Sequence, residues 1–210
     1  MRLPYAPSTP PPNSPPSVSE IYERIAARRK PRPLIPLDLT LLHSPPVASG
    51  YNAFVGALRT ETVVPQALLE LAVSRVAVLT RAVYEWNIHA ALALKAGVTP
   101  EALEAVRAVA KGDVGRGAGE KSTAAAATAA LSDKEVAVLR YTDEATVDVH
   151  VQDATFAALK THFTDREILE LATVVAGYNA VSRILVPLDV GENNDKPMKT
   201  VDELVAAARA

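Results

Sequence analysis

The stretch PQALLELAVSRVAVLTRAVYEWNIH, residues 65–89, decides the fold of this chain. Pro65 predicts a helix start, because proline is tolerated in the first turn of a helix. The following apolar positions cover more than one face of that helix: Leu68, Leu69, Ala72, Val73, Val76 and Leu79. A helix of this kind lies in the centre of a fold. A second helix is predicted over about 83–96, ending at Gly97.

Helix signals recur along the rest of the chain. Pro45 can open a helix, Ser132 begins a pattern typical of a capping box, and Thr164 can cap a long apolar helix. The apolar runs at 147–151 and 185–190 are β-like, but they lack partner strands. We therefore predict an all-α fold, built as a multi-helix bundle.

The region between the two halves of the chain is rich in small residues. Residues 112–120 hold four glycines and predict a loop, and an alanine-rich helix is predicted around 121–131. The run Gly119-Glu120-Lys121-Ser122 resembles a phosphate-binding loop, but Glu120 stands where that motif requires glycine and would repel phosphate. We therefore predict a plain connection here.

The two ends of the chain differ in composition from its middle. Residues 1–18 are rich in proline, which favours extended, water-exposed backbone, so we expect a flexible arm. Residues 19–190 hold the apolar helical pattern and predict one domain, as expected for a chain of 210 residues. Residues 191–210 predict a polar tail that is partly helical.

Composition excludes several classes of function. The formal net charge of −2 lacks the excess of Lys and Arg that nucleic-acid binding needs. No run of 18 apolar residues is present, and the proline-rich start is unlike a secretory signal, so we expect a cytoplasmic protein with no membrane partner. The chain has no cysteine, which excludes disulfides, thiolate metal sites and thiol mechanisms.

Five side chains of the opening stretch form a candidate site: Glu70, Tyr84, Glu85, Trp86 and His89. Glu85 and His89 are four residues apart, so they share one face of a helix. A carboxylate beside an imidazole fixes the tautomer of the ring and prepares it as a general acid or base. Glu70 is costly to bury unless it is hydrogen-bonded, and burial raises the pKa of a carboxyl group, as catalysis often requires.

The same pattern permits other interpretations. Glu85 and His89 could be an ordinary surface pair, or could join a second glutamate in binding zinc or iron. The two-histidine helical motifs are absent, so we predict no metal site. Tyr178, Arg183 and Arg75 are candidates for substrate binding, because an anionic substrate needs a fixed cation. Either arginine could instead make an internal ion pair.

A basic cluster follows the first predicted helix, at Arg28, Arg29, Lys30 and Arg32. Positive charge at a helix C-terminus is favourable, which is typical of a solvated helix end. The alternative interpretation is a site for an anion or for a partner.

The spacing of the candidate site resembles a known family. Glu70, followed by Tyr84-Glu85-Trp86-x-x-His89 and then by Ala93 and Gly97, resembles the carboxymuconolactone decarboxylase-like family of the alkylhydroperoxidase-D-like superfamily. The late helix with Glu167 to Leu171, Tyr178, Asn179 and Arg183 is similar to the last core helix of that family. The resemblance covers roughly residues 20–190. It implies an all-helical bundle that assembles as a homo-oligomer, a dimer, trimer or hexamer.

The peroxidase branch of that superfamily carries Cys-x-x-Cys-x-x-x-His with an upstream Glu. In this chain the histidine falls on His89 and the glutamate on Glu70, but the two cysteine places fall on Ala82 and Glu85. A further histidine place falls on Tyr84. The chain therefore resembles a cysteine-less branch, and thiol peroxidase activity is not expected.

The resemblance implies a cofactor-independent acid–base enzyme, a decarboxylase acting on a small carboxylated lactone or related enolisable compound. His89 is expected to deliver or remove a proton, Glu85 to orient His89, and Glu70 to relay a proton or hold a substrate hydroxyl. Tyr84 is expected to donate a hydrogen bond to an oxyanion and Trp86 to wall the pocket. An isomerase, hydratase or cyclase using the same groups, and a non-catalytic oligomeric scaffold, remain as alternatives.

Overall fold

The computed structural model describes residues 1–108 and 129–209. The loop expected at 112–120 and most of the helix expected around 121–131 lie outside this described part. Within it the chain is all-α, as predicted, with ten helices and no strand. The helices are α1 Pro16–Arg29, α2 Pro36–Leu41, α3 Pro45–Thr60, α4 Gln66–Thr80, α5 Val83–Lys95, α6 Pro100–Ala108, α7 Asp133–Val147, α8 Asp153–Lys160, α9 Asp165–Leu188 and α10 Val201–Arg209.

The central helix is α4, as its apolar pattern predicts. Every residue from Leu68 to Ala77 is buried, because α4 packs against α5, α6, α7 and α9 on different sides. Its end is a left-handed turn at Arg81, with φ of 57°, after which α5 begins at Val83. This short connection folds α5 back against α4. Residues far apart on the two helices, such as Glu70 and His89, are thereby brought together.

The helix-start signals act as expected. Ser132 and Thr164 each accept a hydrogen bond from a backbone N–H and form capping boxes with Glu135 and Glu167. At the other end of α5, Gly97 follows the helix with φ of 100°, a conformation that glycine adopts without strain. The β-like run 185–190 is not a strand, because most of it is the last turn of α9.

Helix α9 is long and apolar enough to cross a membrane by length and composition alone. It also carries a row of buried residues that pack against α3, α4 and α7, as a core helix of a globular protein does. Gly177 lets α3 approach closely, because a Cβ there would lie 2.8 Å from Leu58 Cδ1. The cytoplasmic location stays a prediction.

The two ends of the chain are held against the helical body. The sequence predicts a flexible arm over residues 1–18, but Ala6 is buried and its N–H donates to the Leu39 carbonyl at 3.1 Å. Tyr5 donates to Glu192 at 3.0 Å and accepts from the Gly191 N–H. At the other end, α10 packs on α5 and α6 through Val201 and its neighbour Leu204. Both ends therefore contribute buried apolar surface that composition does not reveal.

Candidate active site

A cavity of about 330 Å³ lies between the end of α1, the connection from α1 to α2, and helices α3, α5 and α9. It is the place where most of the residues singled out from the sequence meet. Its walls combine basic, phenolic and acid–base side chains with an apolar floor. They are Arg28, Arg29, Arg32, Ile35, Leu37, Tyr51, Val55, Arg59, Tyr84, Glu85, Asn87, Ile88, His89, Ala91, Leu92, Tyr178, Val181 and Leu185.

His89 is held by a carboxylate from the neighbouring helix. Its Nδ1 lies 2.6 Å from Glu70 Oε2, and both side chains are buried. The other oxygen of Glu70 accepts a hydrogen bond from Gln66 Nε2 at 2.9 Å. Both carboxylate oxygens of Glu70 therefore have partners, and the ring of His89 is fixed with Nε2 as its remaining nitrogen.

The environment of His89 favours the neutral imidazole. Burial lowers its pKa below the ordinary value, and this outweighs the opposite influence of Glu70. The ring of Tyr178 meets the imidazole edge to face, with ring centroids 4.7 Å apart. With Nδ1–H donating to the carboxylate of Glu70, Nε2 is left as a proton acceptor facing the cavity.

Glu85 is the unsatisfied acid of this site. It is 1% exposed, and neither carboxyl oxygen has a hydrogen-bond partner in the described part of the chain. Burial raises its pKa well above the ordinary value, so the carboxyl is protonated over a wider range of pH than a free glutamic acid. A neutral carboxyl group can donate a hydrogen bond or a proton to a molecule in the cavity.

The expected pairing of Glu85 with His89 is wrong. The two residues lie four apart on α5, and that spacing permits contact without requiring it. Glu70 reaches Nδ1 instead, because α4 packs directly against α5. The orienting role expected of Glu85 therefore belongs to Glu70, and Glu85 faces the cavity without a partner.

Three phenols complete the polar part of the cavity. Burial raises the pKa of Tyr84 to about 12 and also raises the pKa values of Tyr51 and Tyr178, so all three hydroxyls stay protonated near neutral pH. The ring of Tyr84 rests against Gly191, where an added Cβ would lie 2.6 Å from Cδ2. The turn at Gly191, which follows α9, thus fixes the position of Tyr84 in the cavity wall.

Four arginines line the same cavity. Arg29 binds both oxygens of Asp38, at 2.7 and 2.8 Å, and Arg28 donates to the Asn52 carbonyl at 3.0 Å. Arg32 and Arg59 supply two further positive charges. The end of α1 is thus part of a cationic wall, which favours the anion-site interpretation of the basic cluster over the solvated helix end.

Three residues predicted to bind substrate lie elsewhere. Trp86 is fully buried among α5, α6 and α10 and donates to the Lys199 carbonyl at 2.9 Å, so it supports the fold and does not wall the cavity. Arg75 is 1% exposed and binds Asp143 on α7, so the internal ion pair is the correct interpretation. Arg183 is exposed on the other side of α9 and donates to the side chain of Asn179.

The sequence analysis missed Tyr51 and Arg59. Together with Val55 they are four residues apart along α3, so they share one face of that helix. A polar residue at each end of such a face could have indicated a cavity wall.

The cavity is not arranged like a metal centre. Across 1–108 and 129–209, no three His, Asp or Glu side chains are grouped as metal ligands would be. A second cavity, of about 510 Å³, lies on the other side of Glu70, and it is lined by Gln66 and Lys95 among others. Arg59 and Leu92 line both cavities.

Comparison with known proteins agrees with this architecture. Over 100% of this chain and 96% of the other, the fold matches an alkylhydroperoxidase AhpD core from Ralstonia eutropha, described as an uncharacterized peroxidase-related protein, with a TM-score of 0.68 and 20% identity. An uncharacterized peroxidase-related protein from a Silicibacter species matches with a TM-score of 0.65 and 14% identity, over 91% of this chain and 95% of the other. These likenesses show an AhpD-like fold.

The family match falls on the helices that carry the site. Residues 45–130 match the carboxymuconolactone decarboxylase family, a segment that includes Glu70, Glu85 and His89. The family resemblance predicted from these residues is thereby confirmed. No curated protein matches the chain.

Proposed function

We propose that this protein is an acid–base enzyme that decarboxylates a small carboxylated lactone or a related enolisable acid without a cofactor. One observation carries the proposal. A neutral base, His89 held by Glu70, and an unpartnered neutral acid, Glu85, face the same cavity. Burial lowers the pKa of His89 and raises that of Glu85, so that a neutral base and a neutral acid lie at one cavity, the two partners that a proton transfer needs.

The proposed step uses groups of this chain alone. When the carbon–carbon bond to the departing carboxylate breaks, its electron pair remains in the substrate as an enolate and carbon dioxide leaves. Glu85 gives its proton to the enolate carbon and becomes a carboxylate. The hydroxyls of Tyr51 and Tyr84 donate hydrogen bonds to the enolate oxygen. His89 takes up one proton from solvent water through Nε2 and returns it to Glu85 across a water molecule in the cavity, and the hydroxide left in solvent combines with the released carbon dioxide as bicarbonate.

The cationic wall supports an anionic substrate. Arg28, Arg32 and Arg59 line the cavity, and none of them has a carboxylate partner within the described residues. A cavity with one sign of charge raises the local concentration of ligands of the other sign. Substrates without a carboxylate are therefore expected to bind more weakly.

The absence of cysteine separates this proposal from thiol peroxidase chemistry. The chain has alanine at position 82 and glutamate at position 85, where the peroxidase pattern places its two thiols. A glutamic acid can exchange a proton but cannot be oxidised to a disulfide. The site thus keeps acid–base groups without the redox pair.

An isomerase acting on a similar substrate is the second candidate. The neutral base at His89 and the neutral acid at Glu85 favour it directly, because isomerisation removes one proton and adds another. In that reaction Nε2 accepts a proton from carbon, and Glu85 protonates a second carbon. Release of carbon dioxide distinguishes the two activities.

A scaffold role is less compatible with the site. Burying a carboxyl group without a hydrogen bond costs free energy, and a scaffold without catalytic activity gains nothing from that cost at Glu85.

We propose in addition a homo-oligomer that covers apolar side chains exposed near α3 and α9: Phe54, Val63 and Leu169 are 45%, 52% and 67% exposed. Light scattering at micromolar concentration measures this, and a monomer would contradict it.

The test of function replaces the base and the acid separately. In a screen of carboxylated lactones, His89→Ala is expected to reduce turnover by roughly 10²–10⁴-fold. The control is His162→Ala, because His162 lies outside the cavity lining. Circular dichroism checks that each variant is folded. Wild-type turnover in folded His89→Ala would refute the proposal.

The pH profile gives a second readout. Isomerisation needs neutral His89 as the base, so isomerase activity should fall as pH decreases through the lowered pKa of that residue, below 6.5. It also needs protonated Glu85, so it should fall as pH rises through the raised pKa of that residue, above 4.5. Glu85→Gln should lose turnover at every pH, because the amide has no acidic proton to give to carbon. Turnover near the wild-type rate in folded Glu85→Gln would contradict the role of Glu85.

A further inference from the structure

We propose that Arg59 holds a carboxylate of the substrate, and that this carboxylate is retained in the product. The proposal rests on the proposed function, since it assigns substrate recognition to the same cavity. It separates the group that binds the anion from the groups that exchange protons.

The first argument is the distribution of partners among the cavity arginines. The guanidinium of Arg29 is occupied by Asp38, and that of Arg28 donates to the Asn52 carbonyl. Arg59 is half-buried on α3, yet its guanidinium has no hydrogen bond or ion pair to any of residues 1–108 and 129–209. Five N–H donors in a partly desolvated position are matched by a carboxylate, which binds two of them side by side.

The second argument is the position of Arg59 relative to the acid–base groups. Burial is the main cause of the lowered pKa of His89, and the positive charge of Arg59 acts in the same direction. Burial raises the pKa of Tyr178, and the charge of Arg59 opposes that rise. Arg59 also lines the same cavity as both rings. A carboxylate bound to it would place the rest of a small substrate beside His89.

The third argument concerns which carboxylate Arg59 can hold. A carboxylate that leaves as carbon dioxide loses its charge in the transition state. An ion pair to that group would stabilise the substrate more than the transition state, and would slow the reaction. A departing carboxylate is better placed against neutral Glu85 and apolar walls such as Val181 and Leu185, where the charged form is disfavoured. Arg59 therefore suits a carboxylate that stays.

The test of binding does not require turnover. Glutarate, which has two carboxylates and no enolisable ketone, is titrated against the full chain by calorimetry, with dimethyl glutarate as the uncharged counterpart. Arg59→Met should weaken glutarate binding about tenfold to hundredfold, the range for a hydrogen bond to a charged group. Arg59→Lys should lose less than Arg59→Met, because it keeps the positive charge.

Two arginines serve as controls of equal charge. Arg32 lies at the same cavity, and Arg183 lies on α9 outside it. Arg32→Met and Arg183→Met should each weaken binding less than Arg59→Met. Equal losses in Arg32→Met and Arg59→Met, or no glutarate binding by the wild type, would overturn the proposal. Circular dichroism shows whether each variant is folded. If Arg59→Met does not fold, the binding of glutarate by Arg59→Lys is compared with that by the wild type instead.

The retention of the carboxylate has its own test. Enolisable acids with one carboxylate should exchange hydrogen for deuterium in heavy water without releasing carbon dioxide. Acids with a second carboxylate at the reacting carbon should release that carboxylate as carbon dioxide. Carbon dioxide release from the single-carboxylate acids would overturn the retention. Failure of the proposed function appears differently, as unchanged turnover in His89→Ala.

Discussion

Helix α4 carries two buried charged residues, Glu70 and Arg75, whose surroundings differ. Arg75 binds both oxygens of Asp143 and the Val106 carbonyl, and it does not line the cavity that holds Glu85. Glu70 also has both oxygens satisfied, but its partner His89 opens onto a cavity that holds the unpartnered Glu85. Burial of a charge alone therefore does not indicate chemistry. A buried acid without a hydrogen-bond partner, Glu85, beside a hydrogen-bonded acid–base pair, Glu70 and His89, does indicate it.

Breaking the Arg75 pair should give the largest loss of stability. Arg75→Met leaves Asp143 buried without its main counter-charge, and removing one member of a buried ion pair costs about 3–5 kcal/mol. Urea denaturation measures the free energy of unfolding. The fraction that remains folded should keep its activity, because the pair does not line the cavity.

The double variant Arg75→Met with Asp143→Leu is the matched control. It removes both charges together, so it should recover part of the lost free energy of unfolding. If Arg75→Met instead left stability intact and reduced glutarate binding, Arg75 would belong to the active site and the contrast between the two pairs would fail.

Replacing Glu85 should have a smaller effect that depends on pH. The pKa of Glu85 is raised in the folded protein, so its contribution to stability is fully present below pH 4.5 and is lost as pH rises through the raised pKa. Each unit of pKa difference corresponds to about 1.4 kcal/mol. The difference in free energy of unfolding between Glu85→Gln and the wild type should therefore change in favour of Glu85→Gln when the pH is raised from 4 to 8.

Denaturation at the two pH values tests this expectation. Because the same two proteins are compared, most contributions of other titrating groups cancel. A pH-independent difference for Glu85→Gln would mean that Glu85 is not held protonated by burial.

The smallest effect is expected at Gln66. Gln66→Leu removes one of the two hydrogen bonds of Glu70, a loss of about 0.5–1.5 kcal/mol for a typical hydrogen bond. Turnover should fall by no more than about tenfold, because His89 still holds the other oxygen. Turnover as low as in His89→Ala would mean that Gln66 acts in the reaction itself.

Local patterns predicted much of the fold. The all-α class, the central position of α4, and the starts of helices at Pro45, Ser132 and Thr164 follow from periodicity and capping. The ends of the chain were predicted less well. A proline-rich arm gives no local signal for the burial of Ala6, which depends on contacts with residues more than thirty positions away, such as Leu39.

The members of the candidate site were predicted in part, and their pairings were not. Glu70, Tyr84, Glu85, His89 and Tyr178 all lie at the first cavity or bond to a residue that does. Spacing along α5 favoured Glu85 as the partner of His89, because sequence shows neighbours on one helix only. The true partner of His89 is Glu70, which lies on the preceding helix, α4. The substrate-binding interpretation of Arg75 failed for the same reason, since Asp143 is 68 residues away.

The sequence by itself determined the helices, the absence of cysteine and the supply of acids, bases and phenols near positions 70–89. Those properties depend on residue type and on contacts within a few positions. Only the tertiary structure decided which carboxyl holds His89, which stays protonated and which arginines line the cavity. Those outcomes depend on burial and on distances between helices. The energy of a charged group is set by its surroundings in space, which short-range sequence patterns do not specify.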